Sequence, residues 1–102
     1  MVIELSRSSN GERKKVTVAD FSKMKSHSQR IVMVTSYDYP TSIIADEVGV
    51  DSILVGDSYG MVVLGHDTTI PVTIEELLPV CQAVKRGASH SLLIGDMPFL
   101  SF

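Results

Sequence analysis

Two aspartates end matching phrases in this chain: Ser52-Ile53-Leu54-Val55-Gly56-Asp57 and Ser91-Leu92-Leu93-Ile94-Gly95-Asp96. Each phrase reads Ser, three apolar residues, Gly, Asp. The apolar runs are too short for helices and stop at glycine, which is how a buried strand delivers a side chain to the rim of a sheet. Two carboxylates presented from the carboxyl ends of successive strands make a seat for a hard cation. Ser58 follows Asp57 directly and can hydrogen-bond an anionic substrate or cap the loop it begins. The alternative for each aspartate is a turn residue satisfying local amides, and Asp96 before Met97-Pro98 suits such a turn.

Other chemistry-bearing residues read more plainly. Asp38, after an earlier apolar run, is placed to cap a helix. Ser36 and Tyr37 are possible pocket lining, or a simple turn. His66 lies in a long loop with no second histidine at metal spacing, so hydrogen bonding within the loop is expected in place of zinc. His27 and His90 read as surface residues, and Cys81 as core. Gly56 and Gly95 suggest a close approach of backbone or ligand beside the aspartates. The glycine spacing in Gly56-Asp57-Ser58-Tyr59-Gly60 matches neither a Walker loop nor a dinucleotide fingerprint.

The elements that must position these residues follow in order. Residues 1–16 read as a loose polar arm. Thr17, with Asp20 three residues on, forms a capping box for a short helix carrying Val18, Phe21 and Met24 on one side. Ile31–Tyr37 is the first strand, apolar enough at its start to be covered on both faces. Asp38-Tyr39-Pro40 opens a helix with Ile43, Ile44 and Val48 as its apolar side and Gly49 as its terminator. After the strand ending at Asp57 come about fifteen aperiodic residues, a length usually reserved for function or disorder. Thr73-Ile74-Glu75-Glu76 then caps a helix with Ile74, Leu77, Leu78, Cys81 and Val84 at helical spacing. Pro79 should kink or relax that helix, and Gly87 should close it. The strand ending at Asp96 follows.

Composition excludes several classes of function. The chain has 102 residues, a net charge of -3 and one basic cluster, Arg13-Lys14-Lys15, expected to be a solvated arm. Nucleic acid and anionic membrane are therefore poor partners. One cysteine cannot form an internal disulfide, no apolar run reaches the roughly 20 residues of a membrane span, and no signal-peptide layout is present. A cytoplasmic protein is expected.

Strand-helix-strand-helix-strand, with right-handed crossovers, gives three parallel strands whose carboxyl ends carry Asp38, Asp57 and Asp96. Three strands close nothing: a (β/α)8 barrel needs about 250 residues, and an open doubly wound sheet needs further strands too. The chain reads as the amino-terminal piece of a larger barrel, with residues 1–30 an arm and short helix and residues 31–102 its first three strands.

Four stretches carry a resemblance to a known family: Thr35-Ser36-Tyr37-Asp38-Tyr39, Leu54–Met61, Gly65–Thr73 and Gly95-Asp96-Met97-Pro98-Phe99. In order and at similar spacing, they resemble ketopantoate hydroxymethyltransferases (3-methyl-2-oxobutanoate hydroxymethyltransferases). The resemblance implies a (β/α)8 barrel of the phosphoenolpyruvate mutase and isocitrate lyase type, in a homo-oligomer that is commonly a decamer. It implies transfer of a hydroxymethyl group from 5,10-methylenetetrahydrofolate to 3-methyl-2-oxobutanoate, giving 2-dehydropantoate for pantothenate synthesis. By the same resemblance, Asp57 and Asp96 hold Mg2+, and Asp57, Ser58 and Asp96 contact the 2-oxo acid. The family's glutamate base, a lysine and a further acidic residue come from later strands, so these 102 residues alone are expected to be inactive. Two other functions fit the residues: a Mg2+-dependent lyase on a 2-oxo acid in the same barrel superfamily, and a non-catalytic α/β assembly module.

Overall fold

Apolar runs become strands and the amphipathic runs between them become helices. The computed structural model describes residues 13–101. Its elements are α1 (Val18–Ser26), β1 (Met33–Thr35), α2 (Tyr39–Val48), β2 (Ser52–Val55), α3 (Tyr59–Val62), α4 (Ile74–Gly87) and β3 (Leu92–Gly95). The strands form one parallel sheet in the order β1-β2-β3. Met33 pairs with Ser52 and Ser52 with Leu92; Thr35 pairs with Leu54 and Leu54 with Ile94. This sequential order contains no reversal, so no ligand crevice of the doubly wound kind arises within the described sheet.

Alternation along the strands divides the sheet into two faces. Ile53 and Val55 are fully enclosed in a core with Val72, Leu77, Val80 and Val84, against which Val34 and Leu93 also pack. Met33, Ser52 and Leu92 form one row on the opposite face, and Thr35, Leu54 and Ile94 the next. β1 is shorter than the Ile31–Tyr37 run suggested, and Met33 and Ile31 are exposed. Among the described residues the helices cover one face of β1, the Val34 side, and leave the Met33 and Thr35 side open.

The two crossover helices pack against each other as well as on the core. Their contact explains two departures from the sequence reading. α2 does not bury Ile44 and Val48, which are exposed; it buries Ser42 and Asp46. Position 87 has no room for a side chain, because a Cβ on Gly87 of α4 would sit 2.1 Å from the Ser42 hydroxyl and 2.8 Å from the Tyr39 carbonyl. Gly87 is thus a point of close helix approach and remains within α4; the cap is Ala88. Leu78, expected on the apolar stripe, is exposed, whereas Val80 is buried. Pro79 lies inside a helix that continues to Gly87. The caps at Thr17, Asp38, Gly49 and Thr73 are as the sequence predicts, with Gly49 at φ 99°.

The amino-terminal ends of the strands are tied by charge. The Arg13 guanidinium is 6% exposed and lies 3.6 Å from the Asp46 carboxylate. It also donates to the carbonyls of Asp46 and Val50. The solvated-arm reading therefore fails for Arg13, although Lys14 and Lys15 are exposed. Val16 is buried and its amide donates to the His90 carbonyl, so residues 13–16 are docked; the arm's first twelve residues lie outside the described range. The Asp46 carboxylate accepts from the His90 amide, the Ser91 amide and the Ser91 hydroxyl at 2.7–3.1 Å, and pairs with the His90 ring at 2.9 Å. His90 thus joins a buried cluster through one ring nitrogen. Burial pushes the Asp46 carboxyl up, but the bonds from His90 and Ser91 outweigh it and hold it at about 2. Nearby, the buried Asp51 accepts from the Val32 amide at 2.8 Å and bridges all three strand starts through its backbone. α1 buries no residue, and Val18 is exposed.

Candidate active site at the carboxyl ends of the strands

The opposite end of the sheet carries the acidic residues singled out from the sequence. Beyond β2 the ladder continues, with the Asp96 amide donating to the Val55 carbonyl at 2.9 Å. This brings Asp96 alongside Gly56. A Cβ on Gly56 would meet the Asp96 Cβ and Oδ2 at 3.4 Å, so the Asp96 side chain leans over the bare backbone next to Asp57. The glycine before Asp57 therefore serves the close approach that its position suggested. Gly95 does less, since a Cβ there would only touch the Cys81 sulfur at 3.9 Å.

Turn capping does not account for either carboxylate. The chain turns out of β2 through backbone bonds alone, from the Tyr59 amide to the Gly56 carbonyl and from the Gly60 amide to the Asp57 carbonyl. After Asp96, the turn is closed on the Pro98 carbonyl by the Ser101 amide and hydroxyl. Among the described residues, neither the Asp57 nor the Asp96 carboxylate is engaged by a hydrogen bond or ion pair. Asp57 is half-buried and Asp96 exposed, so both face accessible space at the sheet rim. Asp38 does what its position predicts: it accepts from the Thr41 amide at 2.8 Å, and the bonds from Thr41 hold its carboxyl below the usual range.

Ser58 stands at the start of α3 but makes no side-chain capping bond. Its hydroxyl lies 2.5 Å from the Tyr37 hydroxyl instead. The Tyr37 ring is half-buried against Tyr59, with centroids 5.8 Å apart and planes tilted by 57°. The long loop behind the site is anchored, and part of it is α3. Gly60 meets the buried Val72 so closely that a Cβ there would lie 2.1 Å from Val72 Cγ2, and its carbonyl accepts from the His66 amide at 2.9 Å. That bond belongs to the backbone; the side-chain hydrogen bond expected of His66 within the loop is not among those of the described residues.

The donor set fits Mg2+. No group of three or more His, Cys, Asp or Glu side chains converges among the described residues. Mg2+ asks for less, being held by one or two carboxylates while water and substrate oxygens complete its octahedron. A structural zinc site would require four protein ligands.

Comparison with known proteins decides the family. Residues 15–102 match the model of the ketopantoate hydroxymethyltransferase family. The chain belongs to this family. The 3-methyl-2-oxobutanoate hydroxymethyltransferase of Carboxydothermus hydrogenoformans is 51% identical over 88 residues, covering 86% of this chain and 32% of the relative. Those of Geobacillus sp. (strain WCH70) and Oleidesulfovibrio alaskensis are 54% and 50% identical over 86 and 95 residues, covering 84% and 93% of the chain and 31% and 32% of the relatives. The chain thus spans about a third of the length of the curated hydroxymethyltransferases it matches. In this family member, α/β structure with a parallel sheet is established, and no described helix is long and apolar enough to cross a membrane.

Proposed function

We propose that the chain is the metal- and keto-acid-binding part of an enzyme that transfers a hydroxymethyl group from 5,10-methylenetetrahydrofolate to 3-methyl-2-oxobutanoate, forming 2-dehydropantoate. The observation that supports this reading is two carboxylates without hydrogen bonds among the described residues, Asp57 and Asp96, at the carboxyl ends of adjacent parallel strands, with the Asp96 side chain against Gly56. Asp57 and Asp96 would hold Mg2+, which when bound supplies Lewis-acid polarisation of the 2-oxo acid and so acidifies its C3 proton. Ser58, whose hydroxyl is not spent on capping, would donate to the anionic substrate. The base that removes the C3 proton, and a lysine, would come from the other two-thirds of the protein.

The same reading extends to architecture. The rows Met33, Ser52, Leu92 and Thr35, Leu54, Ile94 face away from the helices and would line the interior of a (β/α)8 barrel, where inward side chains stack in layers. Residues 31–102 would then supply its first three strands, preceded by the arm and short helix of residues 1–30. A cytoplasmic homo-oligomer, a decamer by family resemblance, is the expected assembly.

The test uses the full-length protein in D2O. Mg2+-dependent exchange of the C3 proton of 3-methyl-2-oxobutanoate is expected, and Asp57→Asn and Asp96→Asn should each cut it by more than the roughly 10–100-fold typical of losing a residue that only supports a ligand. Exchange that is absent, or indifferent to both substitutions, overturns the proposal.

A further inference from the structure

We infer that Tyr37 is a positioning residue that fixes the Ser58 hydroxyl as a donor toward the substrate's carboxylate. The inference deepens the reading of Ser58 as a substrate contact and rests on it. A serine hydroxyl has one proton and two lone pairs, and it rotates to suit its neighbours. Left alone beside Asp57, it would spend that proton on the neighbouring carboxylate as readily as on a ligand. The Tyr37 hydroxyl, 2.5 Å away, changes this. With the phenol donating, one Ser58 lone pair is occupied and the serine proton must point elsewhere. A chain of two hydroxyls also strengthens the outer donor, because each bond polarises the next.

The fold holds Tyr37 where this requires. It follows β1 by two residues, and the Ser36 amide continues the ladder onto the Leu54 carbonyl, so the tyrosine is carried to the same rim as Gly56 and Asp96. Its ring is held by the tilted contact with Tyr59, which belongs to the same turn as Ser58. The first and second strand ends are thereby joined by a side-chain bond directed at the site.

The experiment is a double-mutant cycle in the full-length enzyme. Tyr37→Phe keeps the ring and its contact with Tyr59 while deleting the hydroxyl. It should raise KM for the 2-oxo acid about 3- to 10-fold, the range of one neutral hydrogen bond, leaving kcat and the KM for the folate unchanged. In a Ser58→Ala background the same substitution should add nothing, since the two residues act as one unit. Additive losses, or a Tyr37→Phe enzyme with unaltered KM while Ser58→Ala is impaired, overturn the role of Tyr37 alone. An unimpaired Ser58→Ala enzyme instead removes the substrate contact itself, and the inference with it.

Discussion

Replacing Asp46 by asparagine tests the account of how the amino-terminal ends of the strands are held. The carboxylate accepts from four groups on His90 and Ser91 and faces Arg13, and its pKa falls from 3.8 to about 2. A displacement of just under two units, at about 1.4 kcal/mol each, makes the ionised form worth about 2 kcal/mol to the folded state. The folded pKa lies below the unfolded one. The contribution is therefore complete above pH 4 or so, and it is lost as pH falls through about 2. Asparagine keeps the shape and an acceptor oxygen but has no charge for Arg13 and turns an amide toward the His90 ring. The assay is native-state hydrogen exchange at the His90 and Ser91 amides of the full-length protein, compared between wild type and Asp46→Asn. Near pH 7 these amides should exchange about 30-fold faster in the variant, the equivalent of about 2 kcal/mol. The difference in opening free energy should shrink below pH 4 and vanish near pH 2. A gap that stays constant down to pH 3, or no gap at pH 7, refutes the reasoning.

Three further substitutions and reactions probe other features. Gly60→Ala places a methyl 2.1 Å from Val72 Cγ2, so it should destabilise the protein by about 1–3 kcal/mol, as overpacking does, and be seen as a lower Tm. Gly56→Ala puts a methyl in contact with the Asp96 carboxylate at 3.4 Å; it should leave Tm nearly unchanged while weakening the Mg2+ dependence of C3 proton exchange, measured by titrating the metal. Burial pushes the Cys81 thiol up, so iodoacetamide at pH 8 should alkylate it far more slowly in the native protein than in urea, as followed by mass spectrometry.

What could be read in advance was whatever is encoded within a few residues. Gly-Asp at two strand ends, the Thr17 and Thr73 capping boxes and the left-handed Gly49 are local devices, and each stands where the chain pattern placed it. Asp46 was invisible for the opposite reason. Its partners lie 33, 44 and 45 residues away, and no periodicity marks an aspartate that outcompetes Ile44 and Val48 for the buried side of its helix. Arg13 was misread for the same cause, because a basic triplet in a polar arm gives no sign that one member enters a pocket of carbonyls. Tyr37 falls between these cases: its place at a strand end was legible, but a bond to Ser58 requires knowing how far the strands are staggered. Gly87 shows that a residue can sit where a helix should end and yet be selected by the neighbouring helix.

The two ends of the sheet are separated by the four residues of β2, about 13 Å at the rise of an extended chain. Perturbations at that spacing combine almost independently. Engineering can therefore treat the ionic clasp around Arg13 and the acidic rim as separate dials. Strengthening the first should create thermal headroom against which disruptive redesign of the second can be attempted, with the two sets of substitutions screened in isolation and merged afterwards.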